Sequence, residues 1–484
     1  MKENSGQPKL KNSLGLLDGT MIVSGSMIGS GIFIVSADII RNVGSSGWLI
    51  IVWLLTGFMT LTAALSYGEL SAMFPKAGGQ YVYLKEAYSK LIAFLYGWSF
   101  FAVIQTGTIA AVGVAFSKFA AYVVPNSLQP YVSEDNIIFA AGFIKISSAQ
   151  VVSIVLIIIL TFINTRGVKS GKLIQNTFTL TKLASLFGLI IFGFIMLKGD
   201  IWHANWGNNA WKLHKLNTDG TFSDYATGAA LGAIAAAMVG SIFSSDAWNN
   251  VTFIAGEMRN PKRDVALSLF FGTLIVTIIY VSVNLVYTSV LPVHEIATAT
   301  KDRVAVAASN VIFGNVGTLI IALMIMISTF GCNNGLILAG ARVYYTMAKD
   351  GLFFKRTGTL NKFGVPQFAL WIQCLVAAIL CLSGKYGDLL DMISFVVVIF
   401  YILTIAGIYI LRRKMPNAER PYKAFGYPVL PAIYILMGLA FCTLLLMYKS
   451  QYAKGGLVIV LIGIPIYYIT KWLSKDEDTT VTNV

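Results

Sequence analysis

A chain of 484 residues that is 56% hydrophobic and only 12% charged carries more apolar surface than a soluble core can hide, so its composition excludes a water-soluble globular protein. The formal charge of +14 would suggest nucleic acid in a soluble chain, but here the basic residues cluster in alternate loops between apolar runs and report membrane topology. Membrane lipid is therefore an expected partner and nucleic acid is not. The fold class expected is an all-α polytopic membrane protein.

The first dozen residues are polar and basic, and the apolar run after them lacks a signal peptide's short core and cleavage site, so 1–13 reads as a tail. A spanning helix takes roughly 20 apolar residues. About twelve such runs follow, at 14–40, 47–72, 91–124, 150–165, 175–198, 226–257, 265–291, 315–346, 367–384, 389–411, 428–448 and 456–473. The first run holds the stretch Met21 to Phe33, in which Ser24, Gly25, Ser26, Gly29, Ser30 and Gly31 stand where a span normally carries aliphatic residues. Unpaired backbone groups in hydrocarbon cost several kcal/mol each, so an unwound turn there must be buried in protein or line a wet cavity. The amides that start the second half-helix suit a carboxylate. Close helix packing is the other reading of such small residues.

The second run ends at Tyr67-Gly68-Glu69, with Glu69 read as a structural ion-pair member, and a turn with Pro75 and paired glycines follows. The loops at 125–148 and 199–224 are expected outside, the latter with Trp202, Trp206 and Trp211 as interfacial anchors. In the fifth run Lys182 lies deep enough that it should face the protein interior, the reading preferred over a lysine that reaches the interface. The sixth run, Met238 to Asn250, is interrupted again by Gly240, serines and Asp246. Two broken helices at corresponding places in two five-span halves point to a central binding site in an inverted-repeat transporter. Asp246 could meet a substrate ammonium, bond local amides or carry a proton. Residues 293–313 include Arg303 to Ala308, suited to a short covering helix or to packing. The basic loops after the fourth, sixth, eighth and tenth runs place both termini in the cytoplasm. The four cysteines read as small core residues, and the three histidines lack metal-ligand spacing.

Ile28-Gly29-Ser30-Gly31-Ile32-Phe33, Phe243 to Trp248 with the trailing Glu257-Met258-Arg259-Asn260-Pro261, Phe330 to Gly335, and Glu419-Arg420-Pro421 together resemble the amino acid–polyamine–organocation superfamily, and within it the L-type amino acid transporter branch. The resemblance implies a LeuT-type fold, a 5+5 inverted repeat plus two C-terminal helices. It implies that amides around Ser30 and Gly31 hold the substrate carboxylate, and that carbonyls near Met27 and Phe243 take its α-ammonium. Ser26, Gly29, Ser244 and Asp246 complete the candidate binding set, with Phe243 as the gate. It further implies that Lys182 stands in for a sodium ion and tethers the first helix, near Gly25, to Ser328 and Thr329. Asn334 matches a polar residue supporting the unwound segments. Two departures are present. No cysteine lies in 125–148, so no disulfide-linked heavy chain is expected, and Ser245-Asp246-Ala247 replace the small residues usual before Trp248.

The reading is a transporter domain at 14–474, with repeat one 14–198, repeat two 226–411 and extra spans 428–473, between tails 1–13 and 475–484. It is expected to be no enzyme and to need no cofactor or metal. It would sit in the plasma membrane and move an L-amino acid, a neutral one, by alternating access, as a sodium-independent exchanger or a proton-coupled importer. The rivals are a cationic amino-acid or polyamine antiporter with Asp246 as counter-charge, and an amino-acid sensor without turnover.

Overall fold

The computed structural model describes residues 14–75, 78–125, 127–141, 144–217, 219–226, 228–383 and 386–481. The basic residues of the expected N-terminal tail, and Lys76 in the turn after the second span, lie outside them.

The first span is broken. Helix α1 (Leu16–Met27) stops where Ile28 leaves helical geometry with ψ 86°, and the chain resumes as α2 (Gly31–Ile34) and α3 (Ser36–Val43). Gly44, at φ 67°, closes α3 in the left-handed conformation that glycine adopts without penalty. Two more left-handed glycines, Gly78 and Gly79, turn the chain from α4 (Ser46–Met73) into the short α5 (Gln80–Ala87). Helix α6 (Lys90–Ser99) passes through a π turn at Phe100–Ile104 into α7 (Gln105–Val123), giving one span of 34 residues.

The loop expected at 125–148 is not irregular, because β1 (Ile137–Ala141) and β2 (Ile144–Ser147) form an antiparallel hairpin there. A capping box of Ser147 and Gln150 then starts α8 (Ser148–Thr165), and α9 (Val168–Ile195) follows. Beyond it come α10 (Gly199–Asn205) and a second hairpin of β3 (His214–Leu216) and β4 (Phe222–Asp224). The all-α expectation therefore holds for the membrane domain but not for these two loops, whose strands pair their backbone groups with each other.

The second break separates α11 (Ala229–Ser244) from the single turn α12 (Asn250–Phe253). Pro261, at the first helical position where its missing N–H goes unused, begins α13 (Pro261–Val290). After α14 (Val293–Ala297), the covering helix expected near Arg303 is the first part of α15 (Val304–Lys349), which kinks at Gly314 with φ 68°. Helices α16 (Gln367–Ser383), α17 (Tyr386–Lys414), α18 (Val429–Tyr448) and α19 (Ser450–Val481) complete the chain. Helix α19 thus runs through most of the segment expected as a C-terminal tail.

Among the described residues, nine helices are long and apolar enough to cross a membrane, and Ala229–Ser244 and Gln367–Leu382 are shorter apolar helices. Exposed Phe187, Ile191 and Ile195 on α9, and Val316, Leu319 and Ile320 on α15, give these helices apolar outer faces suited to lipid. Inside, α13 packs along α4 and α1, α15 packs on α7 and α9, and α11 is enclosed by α3, α4, α17 and α18. Both broken helices therefore lie at the centre of the bundle.

Candidate functional site

The two breaks touch. A Cβ at Gly31 would run into the side chain of Ser244, so only glycine lets the start of α2 approach the end of α11 this closely. Gly29 sits beside the Cys332 sulfur, and that thiol in turn donates to the Ser26 carbonyl at 3.4 Å. Ser26, Met27, Ser30, Phe243 and Ser244 are all buried here. The break itself is narrower than the glycine-rich stretch suggests. Gly25 and Ser26 are still helical in α1, and only Ile28 to Ser30 are unwound, because small residues are tolerated inside a helix that is closely packed by its neighbours. Gly240 likewise stays helical and packs on Val35, while the second break spans Ser245 to Asn249.

Helix α1 ends in carbonyls with no helical partner, and buried side chains supply the missing donors. The Lys182 ammonium, with 0% exposure, donates to the carbonyls of Gly25 at 2.6 Å and Ile28 at 2.8 Å. The tether implied toward the eighth span is not formed by hydrogen bonds. The Thr329 hydroxyl donates to Ile325 and Met326 within α15, and the buried Ser328 hydroxyl has no partner among the described residues. The Tyr280 hydroxyl lies 2.9 Å from the Met27 carbonyl oxygen and 3.0 Å from that of Ser244, so one side chain of α13 clasps the first halves of both broken helices. The Met27 carbonyl, expected to await a substrate ammonium, is thus already an acceptor. Tyr287 and Asn284 extend the contact one turn at a time, to the Ile32 carbonyl at 3.2 Å and the Ser36 hydroxyl at 2.7 Å. Nothing in the sequence marks Tyr280, since a tyrosine inside an apolar run looks like core.

Asn334 does not reach the unwound segments either. Its carbonyl oxygen accepts from Asn164 at 2.8 Å, which joins α15 to α8.

Asp246 belongs to a different neighbourhood from the first break. Its carboxylate accepts from the Tyr401 hydroxyl of α17, and Ala247 beside it holds a left-handed φ of 63°, a conformation costing an alanine about 1 kcal/mol. Trp248 stacks edge-on to Tyr67 at 4.7 Å and lies 5.1 Å from Tyr401. Next along the chain, the Asn249 amide donates to Gln80 at 3.1 Å, and Gln80 donates to Thr404 at 3.0 Å. A cavity of about 20 Å3 opens among these groups, lined by Asp246, Ala247, Asn249 and Asn250 of the second break with Gln80, Tyr96, Gln105 and Tyr401. Neither Phe243 nor any residue from Ser26 to Gly31 lines it. A space this size takes an ordered water or a small polar group, so binding anything larger requires the helices to move apart.

The arrangement holds two helix ends by buried donors and places an acid and amides beside them. Among the described residues no cluster of His, Cys, Asp and Glu could hold a metal ion. Comparison with known proteins gives a match to the family described as Amino acid permease over residues 14–469. The serine/threonine exchanger SteT of Bacillus subtilis is 29% identical over 462 residues, covering 95% of this chain and 97% of the relative. The large neutral amino acids transporter small subunit 2 of Homo sapiens is 29% identical over 98% of this chain and 83% of its own length. The b(0,+)-type amino acid transporter 1 of Oryctolagus cuniculus is 28% identical over 93% of this chain and 92% of its own.

Proposed function

The chain belongs to the amino acid permease family and is a membrane transporter rather than an enzyme, and on that premise we propose that it exchanges neutral L-amino acids without sodium. The substrate carboxylate would meet the amides that begin α2, near Ser30 and Gly31, and Phe243 would close over it. The observation that carries the reading is the pair of touching helix breaks with Lys182 fixed on the carbonyls of Gly25 and Ile28. A lysine seated there occupies acceptors that a sodium ion would otherwise use, which supports sodium-independent exchange. Rocking of the helices that carry the breaks would open the site to each side in turn. The basic loops support cytoplasmic termini in the plasma membrane. Repeats at 14–198 and 226–411 account for breaks in corresponding spans, and the absence of cysteine from 125–148 supports action without a disulfide-linked partner.

The test is uptake of labelled L-alanine, L-leucine and L-arginine into liposomes holding the purified protein, with and without internal amino acid, a sodium gradient or an inward proton gradient. Exchange is expected with internal amino acid alone. Uptake that needs sodium would overturn the reading, and uptake driven by protons alone would make the protein an importer. One observation favours a second reading: Asp246 lines the cavity. If it is a counter-charge for cations, arginine or putrescine will compete, and Asp246→Asn will abolish that competition.

A further inference from the structure

The loop between α7 and α8 holds an apolar surface far from the helix breaks. Beyond the polar run Ser133 to Asn136, the residues Ile137, Ile138, Phe139 and Ala140 of β1 stand exposed one after another, Ile138 by 56% and Phe139 by 53%. A strand with one face in water alternates apolar with polar residues, and four exposed apolar residues in a row call for a cover. The pairing register shifts at Ile138, between the pairs Ile137 with Ser147 and Phe139 with Ile146, a bulge of the kind that re-aims side chains. Helix α8 fixes the depth of this hairpin. The Ser133 carbonyl accepts from the Ser148 hydroxyl at 2.9 Å and the Ala149 amide at 3.2 Å, and the Asn136 carbonyl accepts from the Ser148 amide at 2.9 Å, so the hairpin's base is clamped to the first turn of α8. Gln150 donates to the Cys381 carbonyl at 2.9 Å and ties that turn to the end of α16. With its 18 residues α8 is about 27 Å long, against a hydrocarbon core about 30 Å thick, so it has no length to spare. Arg166, its guanidinium 4.8 Å from the Phe162 ring, marks the polar boundary at one end, and the Ser148 end reaches no further than the opposite boundary.

We propose that this hairpin is a membrane-interface anchor, lying in the phospholipid headgroup layer away from the Arg166 loop with Ile138 and Phe139 among the upper acyl chains. The lipid occupant follows from continuity: Val151, Val155, Ile159 and Phe162 form an exposed apolar stripe at helical spacing along α8, and the hairpin stands at the head of that lipid-facing surface. Charge fits the same occupant. The acids of the loop are taken up by lysines, Asp135 by Lys301 at 2.8 Å and Glu134 by Lys118 at 3.9 Å, while β2 presents an exposed Lys145. A basic group beside an apolar run suits phosphates above acyl chains. Because β1 and β2 pair their own backbone groups, the hairpin can enter the interface without leaving those groups unbonded.

Site-directed fluorescence tests this. Ile138→Cys is labelled with nitrobenzoxadiazole, the four native cysteines being buried, and the full chain is reconstituted in vesicles of phosphatidylcholine and phosphatidylglycerol. Ser223→Cys, at an exposed position of the other loop hairpin, is the aqueous reference. The probe at the Ile138 position should emit to the blue of the reference. It should lose most of its emission to lipid carrying a doxyl group near the headgroup end of the acyl chain, less to lipid labelled at mid-chain, and little to iodide in the water. Adding Phe139→Asp to the labelled chain should move the emission back toward the reference. Phe139→Cys gives the same reading one residue on if Ile138→Cys fails to fold. Emission like the reference with strong iodide quenching overturns the anchor, as does an emission that Phe139→Asp leaves unchanged. A blue-shifted probe that doxyl lipid does not quench also overturns it and puts protein over the hairpin; loss of that shift on dilution to a single protein per vesicle would identify the cover as a second copy of this chain. The readout is position and not transport, so the anchor stands or falls separately from the exchange reading.

Discussion

Lys182 and Tyr280 do the same physical job from different helices: each brings a proton donor to carbonyls that the first break leaves without helical partners. The two differ in what their loss should do. Lys182→Ala removes both bonds to Gly25 and Ile28 and leaves a space inside the bundle, so exchange should drop by roughly a hundredfold as the break loses its geometry. Helical content by circular dichroism should be unchanged, and a variant that exchanges normally would remove the lysine from the mechanism. Tyr280→Phe deletes only a hydroxyl and should lower exchange about tenfold, in keeping with one hydrogen bond. Its effect should be smaller than that of the lysine; a larger one would mean that Tyr280 touches the substrate. Lys182 was legible in the sequence because a charge inside an apolar run is costly wherever it points. Tyr280 was not, because its significance lies wholly in the carbonyls it reaches.

At the scale of elements, the close approach of α2 to α11 depends on Gly31. Gly31→Ala should push the two breaks apart and impair exchange, and Ser244→Gly in the same chain should restore part of it by clearing the clash. Exchange measured for the single and double variants checks this; additive losses would separate the two positions. Ala247 is the second element-level test. Because it holds a left-handed φ of 63°, Ala247→Gly should leave thermal stability equal or slightly higher, while Ala247→Val should lower it by about 1–2 kcal/mol. Thermal unfolding in detergent reads both. The glycine- and serine-rich runs announced that the first and sixth spans break, but not where, since glycine serves close packing and unwinding alike. Neither loop hairpin was anticipated, because short strands in a polar loop leave no strong alternating pattern.

The whole molecule is fastened at the end of α4 that precedes the turn into α5. There the buried Glu69 carboxylate accepts from Arg412 at 3.0 and 2.6 Å and from the Ala424 amide at 2.8 Å, and Arg420 lies 3.3 Å away. This single acid joins α4, the end of α17 and the segment leading to α18. Glu69→Gln would leave Arg420 without its counter-charge in a largely buried place and should destabilise the fold by about 3 kcal/mol. A clear fall in melting temperature is expected, and an unchanged one would show that the arginines find other partners.

Membrane residence, helical class, the existence of two breaks and the interior lysine follow from the sequence by itself, because each is a local property: hydropathy over a span, small residues within it, a charge out of place. What meets what was decided only by the tertiary structure. Tyr401 reaches Asp246 across 155 residues and Tyr280 reaches Met27 across 253, and a hydrogen bond between residues so far apart leaves no mark on the local pattern of either. Asn334 and Thr329 show the converse, since motifs that suggested support for the breaks are turned to α8 and to the helix's own backbone. A side chain's partner depends on which helices pack together, and that choice is made by the whole apolar core at once.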